Sequence, residues 1–410
     1  MEFGIYVSFA DHTLYYGTWG EPGVMYILDK VQATGFDSVY WRMGSGQTMY
    51  PSKVGTPLYK CKKDWICESW SYGKVGNTTS SASRWCNRTH HSDFDCPKTA
   101  IEFGREIGLK IYSWSEVDAE AHGWGNESDF YDNHPELRSL NRHGKHVLGR
   151  ISWGQKEALE YRLSLIKEHL SYPFDAISLD FYKGGDHRIA LYDEDGVRMD
   201  MYDECVIKSF REKTGKDPLK ISNGDPEWIQ FRSNYVTGWL RKVRELQKQI
   251  SPKTKIIGFV TPLDNKMWCE DWDVNPPPGK GGHENVKMVP LKGPLAGNYE
   301  DIAVWTGEDL VDSLHYCLNP GCIGNVQLPD RKTLAKKMNE LRKLMKKEIP
   351  ISVKLYGYQI NEAKDITRVA LDLAEEGVEE MVICESAPID RIRDGWLQYQ
   401  IGISDAKDKL

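Results

Sequence analysis

The stretch that decides the fold is Phe174-Asp175-Ala176-Ile177-Ser178-Leu179-Asp180-Phe181-Tyr182-Lys183-Gly184-Gly185-Asp186-His187-Arg188. Its apolar part, Ala176 to Leu179, is short and predicts a buried β-strand. Asp180 ends this run, and a polar segment with two glycines follows at once. Folds with parallel strands place catalytic groups where a buried strand meets such a loop, so Asp180 is a candidate catalytic residue. A cap of the next element or an ion pair with Arg188 is the alternative role for this carboxylate.

Outward from this strand, predicted strands alternate with predicted helices along the whole chain. The eight strand-like segments are Glu2 to Phe9, Phe36 to Arg42, Leu109 to Trp114, Ala176 to Leu179, Lys255 to Val260, Leu310 to Tyr316, Ile351 to Tyr356 and Glu379 to Cys384. This alternation predicts an α/β fold with a parallel sheet, and eight repeats predict a closed (β/α)8 TIM barrel. An open doubly wound sheet is the rival. However, Ser8-Phe9-Ala10-Asp11-His12 after the first strand lacks the glycines of a phosphate-binding turn.

We expect one domain over residues 1–410, with loop insertions at 43–95 and 275–297. Long loops follow strands two, three and five, on the side of the barrel where active sites form. Their aromatic residues are Trp65, Trp70, Tyr72, Trp85, Trp124, Trp268 and Trp272. Such rings can stack on sugars, and rings on distant loops predict an open cleft for a glycan chain. The alternative is that they pack the loops into a lid over a short substrate.

The overall charge narrows the classes of partner. The formal net charge of −7 argues against a nucleic acid or an anionic membrane surface as the partner. No apolar stretch approaches the length of a membrane span. The first residues have no secretory signal pattern, which predicts a cytoplasmic protein unless the chain has been trimmed. The oligomeric state stays open.

Four segments together resemble a known family. They are Leu109-Lys110-Ile111-Tyr112-Ser113-Trp114, His134-Pro135-Glu136-Leu137-Arg138, Asn141-Arg142-His143-Gly144-Lys145 and Phe174 to Tyr182. Their order resembles bacterial glycosyl-hydrolase-like barrels, namely family 10 glycosyl-hydrolase-like proteins and related polysaccharide hydrolases. The resemblance is specific over about 109–183 and topological elsewhere, and the chain departs from the family pattern at Asn141, Ala176 and Lys183-Gly184. It implies a barrel that acts on a glycan, with Asp180 as the strand-four carboxylate.

Hydrolysis of a glycosidic bond usually needs two carboxyl groups, one as general acid and the other as nucleophile or base. Carboxylates at different strand ends can meet across a barrel mouth. The candidate catalytic residues are Asp180, Glu116, Glu385 and Asp264. We predict that Asp180 is the nucleophile or base and that one of the other three has the second role. For each of those three, an ion pair or a loop cap is the alternative.

Further side chains near strand ends are candidate substrate contacts. They are Arg42, Trp41, Trp114, Tyr182, Asp186, His187, His315, Tyr316 and Tyr356. Taken singly, each aromatic ring can equally be barrel packing. The sequence therefore predicts a glycoside hydrolase that acts on a carbohydrate substrate without a cofactor. The alternatives are a non-catalytic glycan-binding barrel and a Schiff-base lyase or aldolase that uses Lys354.

The loop after strand two contains a group of cysteines. Cys61, Cys67, Cys86 and Cys96 lie in this loop or at its exit. Their spacing is not the paired pattern of a zinc ribbon, so we predict no metal site for the reaction. Free thiols, two disulfides and a zinc site stay open as alternatives, and a staple or a metal would stabilise a loop of this length.

Overall fold

A computed structural model gives the architecture of the protein. It describes residues 1–9, 12–13, 18, 20–57, 94–120, 127–181, 192–261, 266–268, 288–318, 328–357, 360–390 and 392–410. Among these residues, no helix combines the length and the apolar character that a membrane crossing needs.

Eight parallel strands form a closed barrel, which confirms the predicted (β/α)8 TIM fold. The strands are β1 (Glu2–Val7), β2 (Ser38–Gly44), β3 (Lys110–Glu116), β4 (Ala176–Asp180), β5 (Lys255–Val260), β6 (Ser313–Cys317), β7 (Ile351–Tyr356) and β8 (Glu380–Cys384). Each strand pairs with the next one along the chain, and β1 closes the barrel by pairing with both β2 and β8. The carboxyl ends of all eight strands therefore meet at one mouth.

Helices surround the barrel. In the described part of the chain they are α1 (Gly20–Thr34), α2 (Cys96–Glu106), α3 (Asp129–Asn133), α4 (Lys156–Ser171), α5 (Glu204–Thr214), α6 (Pro226–Ile250), α7 (Gly293–Asn298), α8 (Ile302–Gly307), α9 (Arg331–Leu344), α10 (Ala363–Glu375), α11 (Ser386–Ile389) and α12 (Gly395–Lys409), with a 3-10 turn at Pro135–Leu137. Helix α6 shows how the sequence starts such an element. The Asp225 side chain accepts hydrogen bonds from the amides of Glu227 and Trp228, and Pro226 occupies the first turn.

Short elements in the connections are additions to the predicted pattern. They are the strand pairs Arg138–Leu140 with His146–Ile151 and Lys266–Trp268 with Met288–Pro290, and the segments Gln47–Thr48 and Thr56–Pro57 at the end of the sheet next to β2. The expected insertion at 275–297 is only partly described, and its described end contains Met288–Pro290 and most of α7. Strand β6 begins at Ser313, later than the predicted Leu310, and the Asp312 carboxylate just before it accepts the amide of Ile256.

Successive side chains of each strand point to opposite faces of the barrel wall, so the barrel has an outer core beneath its helices and an inner core inside it. Side chains such as Phe3, Ile177 and Val353 pack between the barrel and its helices. Inside the barrel, the buried rings include Tyr6 and Tyr40, whose centroids are 4.9 Å apart. Because the interior is filled by side chains, the barrel is a packed core and not a pore.

The opposite, amino-terminal end of the barrel contains a buried carboxyl group. Glu380 on β8 accepts hydrogen bonds from the hydroxyls of Ser38 and Tyr40. Burial raises the pKa of Glu380 to about 7, against the lowering effect of these two hydrogen bonds. This group joins β8 to β2 far from the mouth, so it contributes to the stability of the fold.

Candidate active site

Asp180 lies at the centre of the barrel mouth. It is the last residue of β4 and is completely buried. Its Oδ2 accepts a hydrogen bond of 2.9 Å from the indole Nε1 of Trp114 on β3. An indole N–H donates and cannot accept, so it suits a carboxylate as its partner. The structure therefore gives Asp180 a fixed orientation at a strand end.

Glu116 is the register partner of Asp180 on the neighbouring strand β3. Its Oε1 accepts a hydrogen bond of 2.8 Å from Nη2 of Arg42 on β2, and both side chains are buried. The Arg42 guanidinium also lies 4.9 Å from the ring centroid of Trp114. Glu116 therefore forms an ion pair, which is the predicted alternative to a catalytic role for this residue. Arg42 is thereby engaged with the protein at the same edge of the mouth.

Lys354 on β7 brings a positive charge into the barrel. Its Nζ lies 5.0 Å from the ring centroids of Tyr6, Phe259 and Tyr356. Burial lowers the pKa of this ammonium, but the acidic groups around it outweigh burial and raise the pKa above its ordinary value. Those groups are Cys384, Cys317, Asp180 and Glu385. Lys354 is thus a permanent cation on which the negative charges of Asp180, at the end of β4, and Glu385, directly after β8, both act.

Glu385 follows the last residue of β8 and is only half-buried, unlike Asp180 and Glu116. Its negative charge acts on both Lys354 and His12, in the direction that raises the pKa of each. The thiol of Cys384 lies 3.7 Å from Oε1 of Glu385. Among the predicted catalytic residues that the structure describes, Glu385 is the most exposed, although its Oε2 is buried.

Glu300 is a carboxyl group at the mouth that the sequence gave no reason to select. It lies in the connection between β5 and β6, and its Oε2 and Oε1 accept the backbone N–H and the hydroxyl of Thr261 over 2.9 and 2.6 Å. Burial raises its pKa to about 8. The negative charge of Asp180 contributes to the rise, and the hydrogen bonds from Thr261 oppose it. Glu300 is therefore protonated beside Asp180 at neutral pH, and it lies at no strand end that a pattern could mark.

A buried network of ion pairs forms one side of the mouth. Asp118, two residues after β3, accepts hydrogen bonds from Arg150, Arg162 and Arg198. Arg198 also donates to Asp200 through Nε and Nη2 over 2.8 and 2.6 Å. Burial would raise the pKa of Asp200, but Arg198 and Arg150 outweigh it and lower the pKa. Asp118 and Asp200 stabilise this side of the mouth through their ion pairs with the arginines, and neither carboxylate is available as a catalytic group.

The remaining predicted contacts lie in different layers. Trp41 and Tyr316 are fully buried in the core between the barrel and its helices, so here they are packing residues that point away from the axis.

Two of the predicted contacts lie inside the barrel. Nδ1 of His315 is 2.6 Å from the Ser352 hydroxyl. Burial and the charge of Lys354 lower the pKa of His315, so it is a neutral imidazole. Tyr356 belongs to the inner core, beside Lys354. Asp264, Tyr182, Asp186 and His187 lie outside the described residues.

The cysteine loop is described only at its exit. Cys96 is a free, buried thiol that donates to the Met49 carbonyl over 3.2 Å. Burial raises its pKa, so it is a protonated packing residue and not a metal-binding thiolate. Cys61, Cys67 and Cys86 lie outside the described residues. Within the described ranges, no group of three or more His, Cys, Asp or Glu side chains could hold a metal ion.

Three solved structures with a similar architecture are a β-amylase and two β-galactosidases. The catalytic domain of the β-amylase from Paenibacillus polymyxa is 11% identical, with a TM-score of 0.55, over 99% of this chain and 98% of that one. The β-galactosidase from the psychrophile Marinomonas ef1 is 10% identical, with a TM-score of 0.54, over 99% of this chain and 60% of that one. The β-galactosidase from the haloarchaeon Halorubrum lacusprofundi is 9% identical, with a TM-score of 0.55, over 99% and 58%.

The sequence itself matches no protein-family model and no curated protein. The narrower resemblance to family 10 glycosyl-hydrolase-like proteins is therefore not confirmed. The chain spans about three fifths of each β-galactosidase chain, 60% and 58%. At this level of identity, the likeness establishes that the protein has the (β/α)8 fold found in glycoside hydrolases.

Proposed function

We propose that the protein is a glycoside hydrolase that cleaves O-glycosidic bonds of an oligo- or polysaccharide with Asp180 and Glu385 as its carboxylate pair. One observation carries this proposal: Asp180 ends β4 and Glu385 directly follows β8 at the mouth of the barrel, and the negative charges of both act on the buried Lys354. Two carboxyl groups on either side of a barrel mouth are the arrangement that glycosidic cleavage needs.

The surroundings of the two carboxylates suggest their roles. Asp180 is buried and oriented by the Trp114 indole, which suits a nucleophile or a base that must stay ionised. Glu385 is half-buried and directly follows β8, so at the mouth it can act as the general acid that protonates the leaving oxygen. Lys354 balances the charge of both groups. No cofactor takes part in this reaction.

The two rival functions fit these contacts less well. A Schiff-base enzyme needs an amine that loses its proton, usually through a lowered pKa, but the acidic groups around Lys354 raise its pKa. A glycan-binding barrel has no need for several buried charges at its mouth, and burying charges is costly unless they are paired. Both observations favour hydrolysis.

The proposal is tested by reducing-sugar release from α-glucans, β-galactans and oligosaccharide series by wild-type protein, Asp180→Asn and Glu385→Gln. We expect each variant to lose about 10²-fold or more in kcat on a substrate that the wild type cleaves. Circular dichroism and thermal melting control for folding. Near-wild-type turnover by Asp180→Asn would rule out its assignment. Binding of glycans by all three proteins without turnover of any of them would favour the binding barrel.

A second measurement follows from the same substrate. Proton NMR of the first product shows whether the anomeric configuration is retained or inverted. Retention corresponds to carboxyl groups about 5–5.5 Å apart and inversion to about 6.5–9.5 Å. Because β4 and β8 lie on different sides of the barrel, we expect the larger separation and inversion.

A further inference from the structure

We propose that His12, Ser386 and Asp390 form an array that positions Glu385, so that hydrolysis depends on three residues that do not touch the substrate. The inference rests on the proposed function for its catalytic consequence. Its structural content, that these residues fix the Glu385 side chain, can be tested without any substrate.

The array joins the loop after β1 to the segment after β8. The Ser386 hydroxyl lies 2.7 Å from Nε2 of His12, and both residues are buried. Nδ1 of His12 lies 3.9 Å from Oδ2 of Asp390. Oδ1 of Asp390 in turn accepts hydrogen bonds from Lys30 on α1 and Trp396 on α12, over 2.5 and 2.8 Å. Asp390 is therefore anchored from two helices, and the array has a fixed end.

The protonation state of His12 orients the hydroxyl of Ser386. Burial lowers the pKa of His12 to about 4, Lys30 lowers it further, and the carboxylates of Asp390 and Glu385 oppose them. A neutral imidazole donates through one nitrogen and accepts through the other. The carboxylate on the Nδ1 side favours the proton there, so Nε2 accepts the Ser386 hydroxyl. Ser386 is thus held as a donor.

The two residues that flank Glu385 are both held: before it, the Cys384 carbonyl accepts the backbone N–H of Gly357 over 2.7 Å, and after it, Ser386 contacts His12. Glu385 is the N-cap residue of α11, in an extended conformation, and its side chain makes no capping hydrogen bond to that helix. Ser386 is the next residue and the first of the helix. Holding the Ser386 side chain against His12 therefore fixes the peptide that follows Glu385. The negative charge of the Glu385 carboxylate acts on both His12 and Lys354.

The same three residue types form the catalytic triad of serine hydrolases, but two observations assign a positioning role here. Ser386 is completely buried, so no substrate reaches its hydroxyl. The His12–Asp390 distance of 3.9 Å is longer than the hydrogen bond that orients a catalytic histidine. The array therefore acts through Glu385.

The catalytic consequence is that Glu385 works as the general acid only when the array positions it. It is tested by measuring kcat on substrates whose leaving groups differ in their need for protonation. If Ser386→Ala misplaces the general acid, we expect kcat to fall about tenfold or more on methyl glycosides and oligosaccharides. Turnover of 2,4-dinitrophenyl galactosides and glucosides should stay within about twofold, because that leaving group needs no protonation. His12→Gln keeps a polar atom for Ser386 and should recover part of the rate, whereas His12→Leu should not. An equal loss on both classes of substrate would contradict the role.

Ser38→Ala is the matched control. Ser38 is also completely buried and donates one hydrogen bond to a carboxyl group, that of Glu380, at the opposite end of the barrel. We expect a similar loss of thermal stability and an unchanged leaving-group dependence. A change in that dependence for Ser38→Ala would show that the assay reports destabilisation alone.

Crystal structures of the wild type and of Ser386→Ala show whether the array fixes the Glu385 side chain. We expect the Glu385 carboxylate to move by about 1 Å or more relative to Lys354 Nζ, a displacement that is costly in catalysis. An unmoved carboxylate, or labelling of Ser386 by a fluorophosphonate, would overturn the inference. If Ser386→Ala does not fold, Asp390→Asn gives the same readout. A wild type without hydrolytic activity would end the proposed function, while the displacement would still decide this inference.

Discussion

The indole of Trp114 donates a hydrogen bond of 2.9 Å to the carboxylate of Asp180, and both side chains are completely buried. The two residues lie on adjacent parallel strands, where Trp114 is the register partner of Ser178. The pleat sends Trp114, Ser178 and Asp180 to the interior, so the ring of one strand reaches the carboxylate at the end of the next. The relationship fixes the group on which the proposed reaction depends.

Trp114→Phe tests this contact. The variant keeps an aromatic ring in the inner core but removes the N–H that Asp180 accepts. We expect kcat to fall about 10- to 100-fold with little change in KM, and stability to fall by about 1–2 kcal/mol. Steady-state kinetics and urea unfolding measure the two effects. An unchanged kcat together with the stability loss would limit Trp114 to packing.

Arg42 and Glu116 offer a double-mutant cycle. Arg42→Met leaves the buried Glu116 carboxylate without its 2.8 Å partner, which should cost about 3 kcal/mol of unfolding free energy. Adding Glu116→Gln should recover part of that loss, since the stranded charge is removed. Urea unfolding of the four proteins gives the coupling energy. Additive losses would show that the pair is not coupled in solution.

Lys354→Met tests the electrostatics of the mouth. Without the cation, the carboxylates around it should bind protons more tightly, because a nearby positive charge favours their ionised forms. We therefore expect the acidic limb of the kcat/KM profile to move to higher pH, along with a lower maximum rate. Borohydride treatment of the wild type with carbonyl substrates should trap no adduct. A trapped adduct on Lys354 would revive the Schiff-base alternative.

Glu380 should make the stability of the protein depend on pH. Its pKa is about 7 in the folded protein, against 4.5 as the ordinary value. Between these values the unfolded chain releases the proton that the folded protein keeps, so stability falls as pH rises from about 4.5 to about 7. The upper limit of this loss is on the order of 3 kcal/mol. Glu380→Gln carries no such proton, so its melting temperature should change less between pH 5 and pH 8. Equal slopes for both proteins would contradict the assignment.

The barrel was predictable because its strands are specified by patterns of residue types within short segments of the sequence. Short apolar runs that alternate with helical segments specify the eight strands, and each predicted run overlaps an observed one. The boundaries differ by a few residues. The sixth strand, for example, is predicted from Leu310 and begins at Ser313.

The site was only partly predictable. Asp180, Glu116 and Glu385 follow from their positions at strand ends, which the apolar runs mark. Their surroundings do not follow, because the groups that contact them come from distant parts of the chain. His12 meets Ser386 across 374 residues of sequence, and Glu300 meets Thr261 from a connection without a pattern.

The sequence by itself determined the alternation of strands and helices, and with it the closed barrel and the acidic residues at its mouth. Those features depend on residue type and on spacing along one segment. Only the tertiary structure decided which carboxylate is paired with an arginine, which faces a lysine and which stays protonated. These properties depend on burial and on distances between charges, and both arise only when the eight strands close.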